Sequence, residues 1–140
     1  MIEKIIQNDK ILSIIIRSEF SKEGIEFFTP PDFSQQLGYM NRPKGYIIDP
    51  HKHIASDRTI QLTQEVLVLK SGKVKVDFFD DNGNFAKSII LFKGDVILLA
   101  SGGHGLEMLE DSELIEVKQG PYQQENDKVM LSSTTVFKYS

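Results

Sequence analysis

The chain has 140 residues, a formal net charge of −4 and no cysteine. That length suits one domain with enough chain to bury a core. The mild acidity, with a pI near 5.4, speaks against nucleic acid or an anionic membrane as partner, because both want clustered Lys and Arg. Without cysteine there is no disulfide, no thiolate metal site and no cysteine nucleophile. The longest apolar runs, Ile14–Ile16 and Val96–Ala100, are far too short to span a bilayer. The start, Met1-Ile2-Glu3-Lys4, has no basic region followed by an apolar core of the secretory type. A cytoplasmic protein is the expectation.

In chain order, residues 1–29 hold three β-branched pieces, Ile5-Ile6, Ile11–Ile16 and Ile25–Phe28, separated by turn residues, and read as strands. Thr29-Pro30-Pro31-Asp32 breaks the pattern, and Phe33–Met40 reads as irregular or a short turn of helix. From residue 44 the β signal strengthens. Tyr46-Ile47-Ile48 leads towards two histidines, and Thr59–Thr63 alternates as a half-buried strand. Glu65–Lys70 reads as a central strand closed by Ser71-Gly72. Lys73–Phe78 alternates, Asn82-Gly83 marks a hairpin, and Ser88–Phe92 returns. Val96–Leu99, Glu113–Lys118 and Val129–Tyr139 complete the set. No stretch offers a helix of 3.6 periodicity. Many short strands at regular spacing predict an all-β sandwich or barrel.

The chain has three histidines. His51 and His53 are one residue apart, so in an extended chain both project to one face. Converging neutral imidazoles suit a divalent metal. Glu65, on a neighbouring strand, adds a carboxylate, and His104 follows a Gly-Gly turn. Three nitrogens and one oxygen without sulfur suit one divalent transition metal, Fe, Mn, Ni, Cu or Zn, with positions left open for a ligand. Leu67 and Leu69 would follow Glu65 inward and make the pocket apolar. Arg58 and Gln61 stand where they could reach a carboxylate or sugar hydroxyl at the mouth, and Gln64 has a similar standing. The plainer reading is that the histidines are hydrogen-bonded pocket residues, and that Arg58 is a solvated loop arginine.

Gly45, His51 and His53, then Glu65 and Gly72, and further on Gly94, Gly102 and His104, form a pattern that resembles the two motifs of the cupin superfamily. Two departures stand out. Eleven residues, Ile54–Gln64, separate His53 from Glu65 where the family has three or four, and Ala100 stands where proline is usual. The resemblance implies a double-stranded β-helix, or jelly-roll barrel, over residues 44–118. Residues 1–43 would add N-terminal strands, in a single domain spanning 1–140. It further implies His51, His53, Glu65 and His104 as metal ligands. The expected function is a metal-dependent enzyme of oxygenase or isomerase type, acting on a small carboxylate- or sugar-like molecule. The alternatives are a non-catalytic binding or sensory protein, and a metal-free nucleotide-sugar isomerase or epimerase using a histidine base. The surplus of apolar β-branched residues in the N-terminal strands raises the expectation of a homodimer joined through those sheets.

Overall fold

The computed structural model describes residues 1–122 and 129–131. Its described residues are all-β, with ten strands in three antiparallel sheets and no closed barrel. The strands are β1 (Ile2–Gln7), β2 (Lys10–Ile16), β3 (Gly24–Phe27), β4 (Gly38–Asn41), β5 (Glu65–Ser71), β6 (Lys73–Phe79), β7 (Phe85–Phe92), β8 (Val96–Leu99), β9 (Gly103–Met108) and β10 (Glu113–Lys118). A five-stranded sheet runs β1-β2-β8-β5-β10, a three-stranded sheet runs β7-β6-β9, and β3 pairs with β4. No helix long and apolar enough to cross a membrane is present among the described residues.

The five-stranded and three-stranded sheets share one apolar core. Ile15, Leu67, Leu69, Ile97 and Leu99 from the first meet Val74, Val76, Phe78, Ile89 and Leu91 from the second. Of the alternating Lys73–Phe78, Val74, Val76 and Phe78 point inward, while Asp77 on the opposite face is buried as well. The five-stranded sheet is covered on its other face as well. Ile14, Leu98 and Ala100 are buried there under Phe28, Phe33 and Leu37. Burial on both faces explains why the second strand is an unbroken apolar run, Ile14-Ile15-Ile16, rather than an alternating one. Part of the β-branched surface of the N-terminal strands is thus covered by this chain's own residues 28–37, while Ile6 and Ile25 stay exposed.

Two turns tie the layers together. Asp95 is 1% exposed and its carboxylate accepts three hydrogen bonds: from Arg17 Nη1, the Ser18 amide and the Phe92 amide, each at 2.8 Å. Arg17 also donates to Glu3 Oε2 at 2.5 Å and to the Ile90 carbonyl at 2.6 Å. Burial pulls the Arg17 pKa down, but its bonds to Glu3 and Asp95 outweigh that and raise it above the ordinary value. At the other end, Gly102 adopts φ +70°, and a Cβ there would lie 2.4 Å from the Phe79 carbonyl oxygen. Only glycine permits that close approach of the β8–β9 turn to β6.

Several expected elements differ. Residues 33–40 contain no helix but include the start of β4, and the returning strand β7 begins at Phe85 rather than Ser88. The expected strands at 46–48 and 59–63 do not form, because neither segment has a neighbouring strand in its own chain and an extended segment without one has no ladder to satisfy its backbone. The strand expected over 129–139 lies largely outside the described residues. The closed barrel fails for the same reason as the segments at 46–48 and 59–63. Among the described residues β1 and β10 are the edges of the five-stranded sheet, and β7 and β9 those of the three-stranded one.

Candidate functional site

Glu65 opens β5 and shares its inward face with Leu67 and Leu69, both in the core. His104 pairs directly with Phe78 across β6 and β9, and directly opposed residues of an antiparallel pair share a face. His104 therefore points inward from the three-stranded sheet as Glu65 does from the five-stranded one. They meet across the gap, His104 Nε2 to Glu65 Oε1 at 3.0 Å, with side chains 34% and 17% exposed. The pair sits at the end of the core, above Leu67 and beside Leu106, so one side is apolar and the other open.

That distance admits two chemistries. A neutral imidazole whose Nε2–H donates to the carboxylate keeps Nδ1 as a proton acceptor, the arrangement of an oriented base. It is also the separation of two adjacent ligands on one metal ion. Bonds of about 2.1 Å at right angles put the two donor atoms roughly 3.0 Å apart.

His51 and His53 lie elsewhere. Their rings are neighbours, centroids 5.6 Å apart and edge to face, so the His-x-His spacing does place both on one side. His51 Nδ1 makes a local contact with the Asp49 carbonyl at 2.7 Å. Yet both are exposed, on a segment without strand or helix. Within the described residues of one chain no group of three or more His, Cys, Asp or Glu side chains converges. A single chain thus supplies two of the four expected donors at one place and two at another. It does not by itself fit the full three-histidine, one-carboxylate set.

The mouth residues separate too. Arg58 is exposed. Gln61 lines a cleft of about 770 Å³ formed with Asp32, Phe33, Gln64 and Ala100. That cleft opens beside the second apolar cluster, on the face of the five-stranded sheet away from Glu65. That cleft is lined by no histidine. Gln64 is no mouth residue. It is 4% exposed; its side-chain oxygen accepts from Ser34 Oγ and the Gln35 amide, and its side-chain nitrogen donates to the Ala100 carbonyl. It latches the chain where the segment rejoins the sheet.

Sequence inspection misses the character of residues 42–63. Every one of them is exposed, including Ile47 at 77% and Ile54 at 86%. Among the described residues, their hydrogen bonds are internal, such as the Tyr46 amide to the Pro43 carbonyl. Arg42 stacks over the Tyr46 ring at 4.5 Å. The signal in the sequence was the eleven-residue gap before Glu65, too long for a tight turn between neighbouring strands. Comparison of the chain with protein-family models, with curated proteins and with solved structures gives no match in any of the three.

Proposed function

We propose that the chain is a cupin-like, jelly-roll-type protein that acts on a small carboxylate- or sugar-like molecule at the Glu65–His104 pair. In the metal reading one divalent transition metal would be held there by Glu65 and His104, with His51 and His53 not brought to them among the described residues of one chain. The observation that carries this reading is the meeting of Glu65 and His104 at 3.0 Å across two sheets, half-shielded at the end of an apolar core. Polar groups placed together against an apolar floor are what a small-molecule site consists of. A bound divalent ion would supply Lewis acidity towards a carbonyl or carboxylate. The chain's own groups orient the ligand: Glu65 fixes the imidazole plane, and the Leu67 and Leu106 side excludes water.

The same dyad supports a second reading, a metal-free isomerase or epimerase in which Glu65 orients His104 as base. Elemental analysis of freshly purified protein, and of apoprotein reconstituted with Fe, Mn, Ni, Cu and Zn, separates the two. The metal reading expects about one ion per chain, lost in His104→Ala and in Glu65→Gln. Protein that stays metal-free under every condition would overturn it, and thermal stabilisation by a sugar nucleotide that EDTA leaves unchanged would favour the dyad as base.

A further inference from the structure

We propose that the cleft between residues 30–34 and 59–62 is a second binding site. It takes a small protonated amine with an apolar body and a neutral oxygen acceptor. The volume, about 770 Å³, lies in the range of small-molecule pockets. Ile11, Phe33, Ile60 and Leu62 supply apolar lining, and the buried Gln64 and Ala100 form the floor. Ile60 and Leu62 are 40% and 54% exposed, and among the described residues no hydrogen bond joins 59–62 to the facing wall. Apolar side chains that border an open cleft gain by being covered. The site lies on the sheet face away from Glu65 and His104, and it stands whatever chemistry those two residues perform.

Charge selects the ligand. Asp9 and Asp32 line the cleft and are exposed, and neither carboxylate has a hydrogen-bond or ion-pair partner among the described residues. Lys10, also in the lining, is held by Asp81, Nζ to Oδ2 at 2.6 Å, so the rim is left acidic. Both carboxylates stand on tight turns. Asn8 and Asp9 take φ +54° and +61°, the paired positive values of a two-residue hairpin turn between β1 and β2. Asp32 lies in the turn that the Phe33 amide closes onto the Pro30 carbonyl at 3.1 Å. Gln36 Nε2 donates to the Pro30 and Phe33 carbonyls, each at 2.9 Å, and fixes that turn. A cation arriving at the rim therefore meets acceptors on backbone already ordered, which lowers the entropic cost of binding.

The floor adds a donor. Gln64 is 4% exposed, and its Oε1 is filled by Ser34 Oγ at 3.2 Å and the Gln35 amide at 3.0 Å. Its Nε2 carries two protons, and one makes a long bond of 3.4 Å to the Ala100 carbonyl. Among the described residues the second proton has no partner. A buried N–H left unpaired is costly, and a hydroxyl or carbonyl oxygen on the ligand answers it. A carboxylate could answer it too, but would face the repulsion of Asp9 and Asp32. The amine at the rim, the apolar body along the walls and the neutral oxygen at the floor follow from these groups.

Three probes test this. Tyramine has all three parts, phenethylamine lacks the oxygen, and phloretate carries a carboxylate in place of the amine. In amide proton–nitrogen correlation spectra of the full chain near neutral pH, tyramine should saturably shift Ile11, Phe33, Ile60 and the Gln64 side-chain amide. Phenethylamine should shift the first three and leave the Gln64 side chain, and phloretate should shift none. Asp9→Asn with Asp32→Asn should weaken tyramine binding roughly tenfold, since two partly exposed charge contacts are lost. That variant should keep the wild-type circular dichroism and melting temperature, because asparagine accepts the positive φ of residue 9. Added sodium chloride should weaken tyramine binding in the wild type as well, a reading that needs no variant. No saturable tyramine shift at the cleft, equal binding of phloretate, indifference to salt, or a double variant that binds like the wild type would each overturn the site. Equal Gln64 shifts with both amines would overturn the acceptor at the floor.

Discussion

Asp95→Ala tests how the fold holds the strands on which the site is built. The Asp95 carboxylate is almost fully buried and takes one charged and two backbone hydrogen bonds. Removing one partner of a buried, hydrogen-bonded charge pair costs roughly 3–5 kcal/mol, because the other is left uncompensated. Here Arg17 keeps Glu3 and the Ile90 carbonyl and is itself 15% exposed, which pulls the cost down. The orphaned Ser18 and Phe92 amides push it back up by about 1 kcal/mol each. A loss of about 4 kcal/mol is expected, corresponding to a fall in melting temperature of roughly 15 °C for a chain of this size. Asp95→Asn, which keeps the shape and part of the acceptor capacity, should lose about half as much. Replacing both partners, Arg17→Met with Asp95→Leu, should recover most of the loss. Urea unfolding followed by circular dichroism at one fixed protein concentration reads all three, provided the slope m stays constant. An Asp95→Ala loss below about 1 kcal/mol, or a double variant worse than the single, would refute the idea that this network pins β2 to the β7–β8 turn.

Other substitutions probe separate joints. Gly102→Ala forces a side chain into a positive-φ position against the Phe79 carbonyl and should cost more than about 2 kcal/mol in the same unfolding assay; a neutral result would mean that this turn relaxes freely. Gln64→Ala removes the latch to Ser34, Gln35 and Ala100 and should cost about 1–2 kcal/mol. It should also speed amide hydrogen exchange at Gln35, with no effect at Asp95. The Asp80 carboxyl is held below its ordinary value, first by the Asn84 amide and then, against desolvation, by the Asn82 amide. A lowered native pKa means its stabilisation is complete above the ordinary carboxylate range and is lost as pH falls through the lowered value. The stability difference between wild type and Asp80→Asn should therefore be largest near neutrality and vanish in acid; a difference that grows on acidification contradicts this.

The sheets were legible because period-2 patterns and turn residues are local. Lys73–Phe78 alternates because one face meets Leu67 and Leu69 and the other does not. Asn82-Gly83 turns because Gly83 takes φ +82° and its amide reaches the Asp80 carbonyl at 3.0 Å. Glu65 and His104 were legible as a pair only through the pattern they complete, since 39 positions separate them and no local rule joins them. What stayed hidden was global. The Ile11–Ile16 run looks the same whether its second face is covered by residues 28–37 or by another molecule, and only the packing of Phe28, Phe33 and Leu37 decides it. Arg17 and Asp95, 78 positions apart, leave no sequence signature at all.

Residues 42–63 are the instructive case, because their local signal and their placement disagree. Tyr46-Ile47-Ile48 and Thr59–Thr63 have strand composition, and strand composition records a demand for a ladder and for burial, not the identity of the chain that meets it. When a segment of this composition lies fully exposed among the described residues, propensity and fold are in conflict, and such conflicts gather at functional sites.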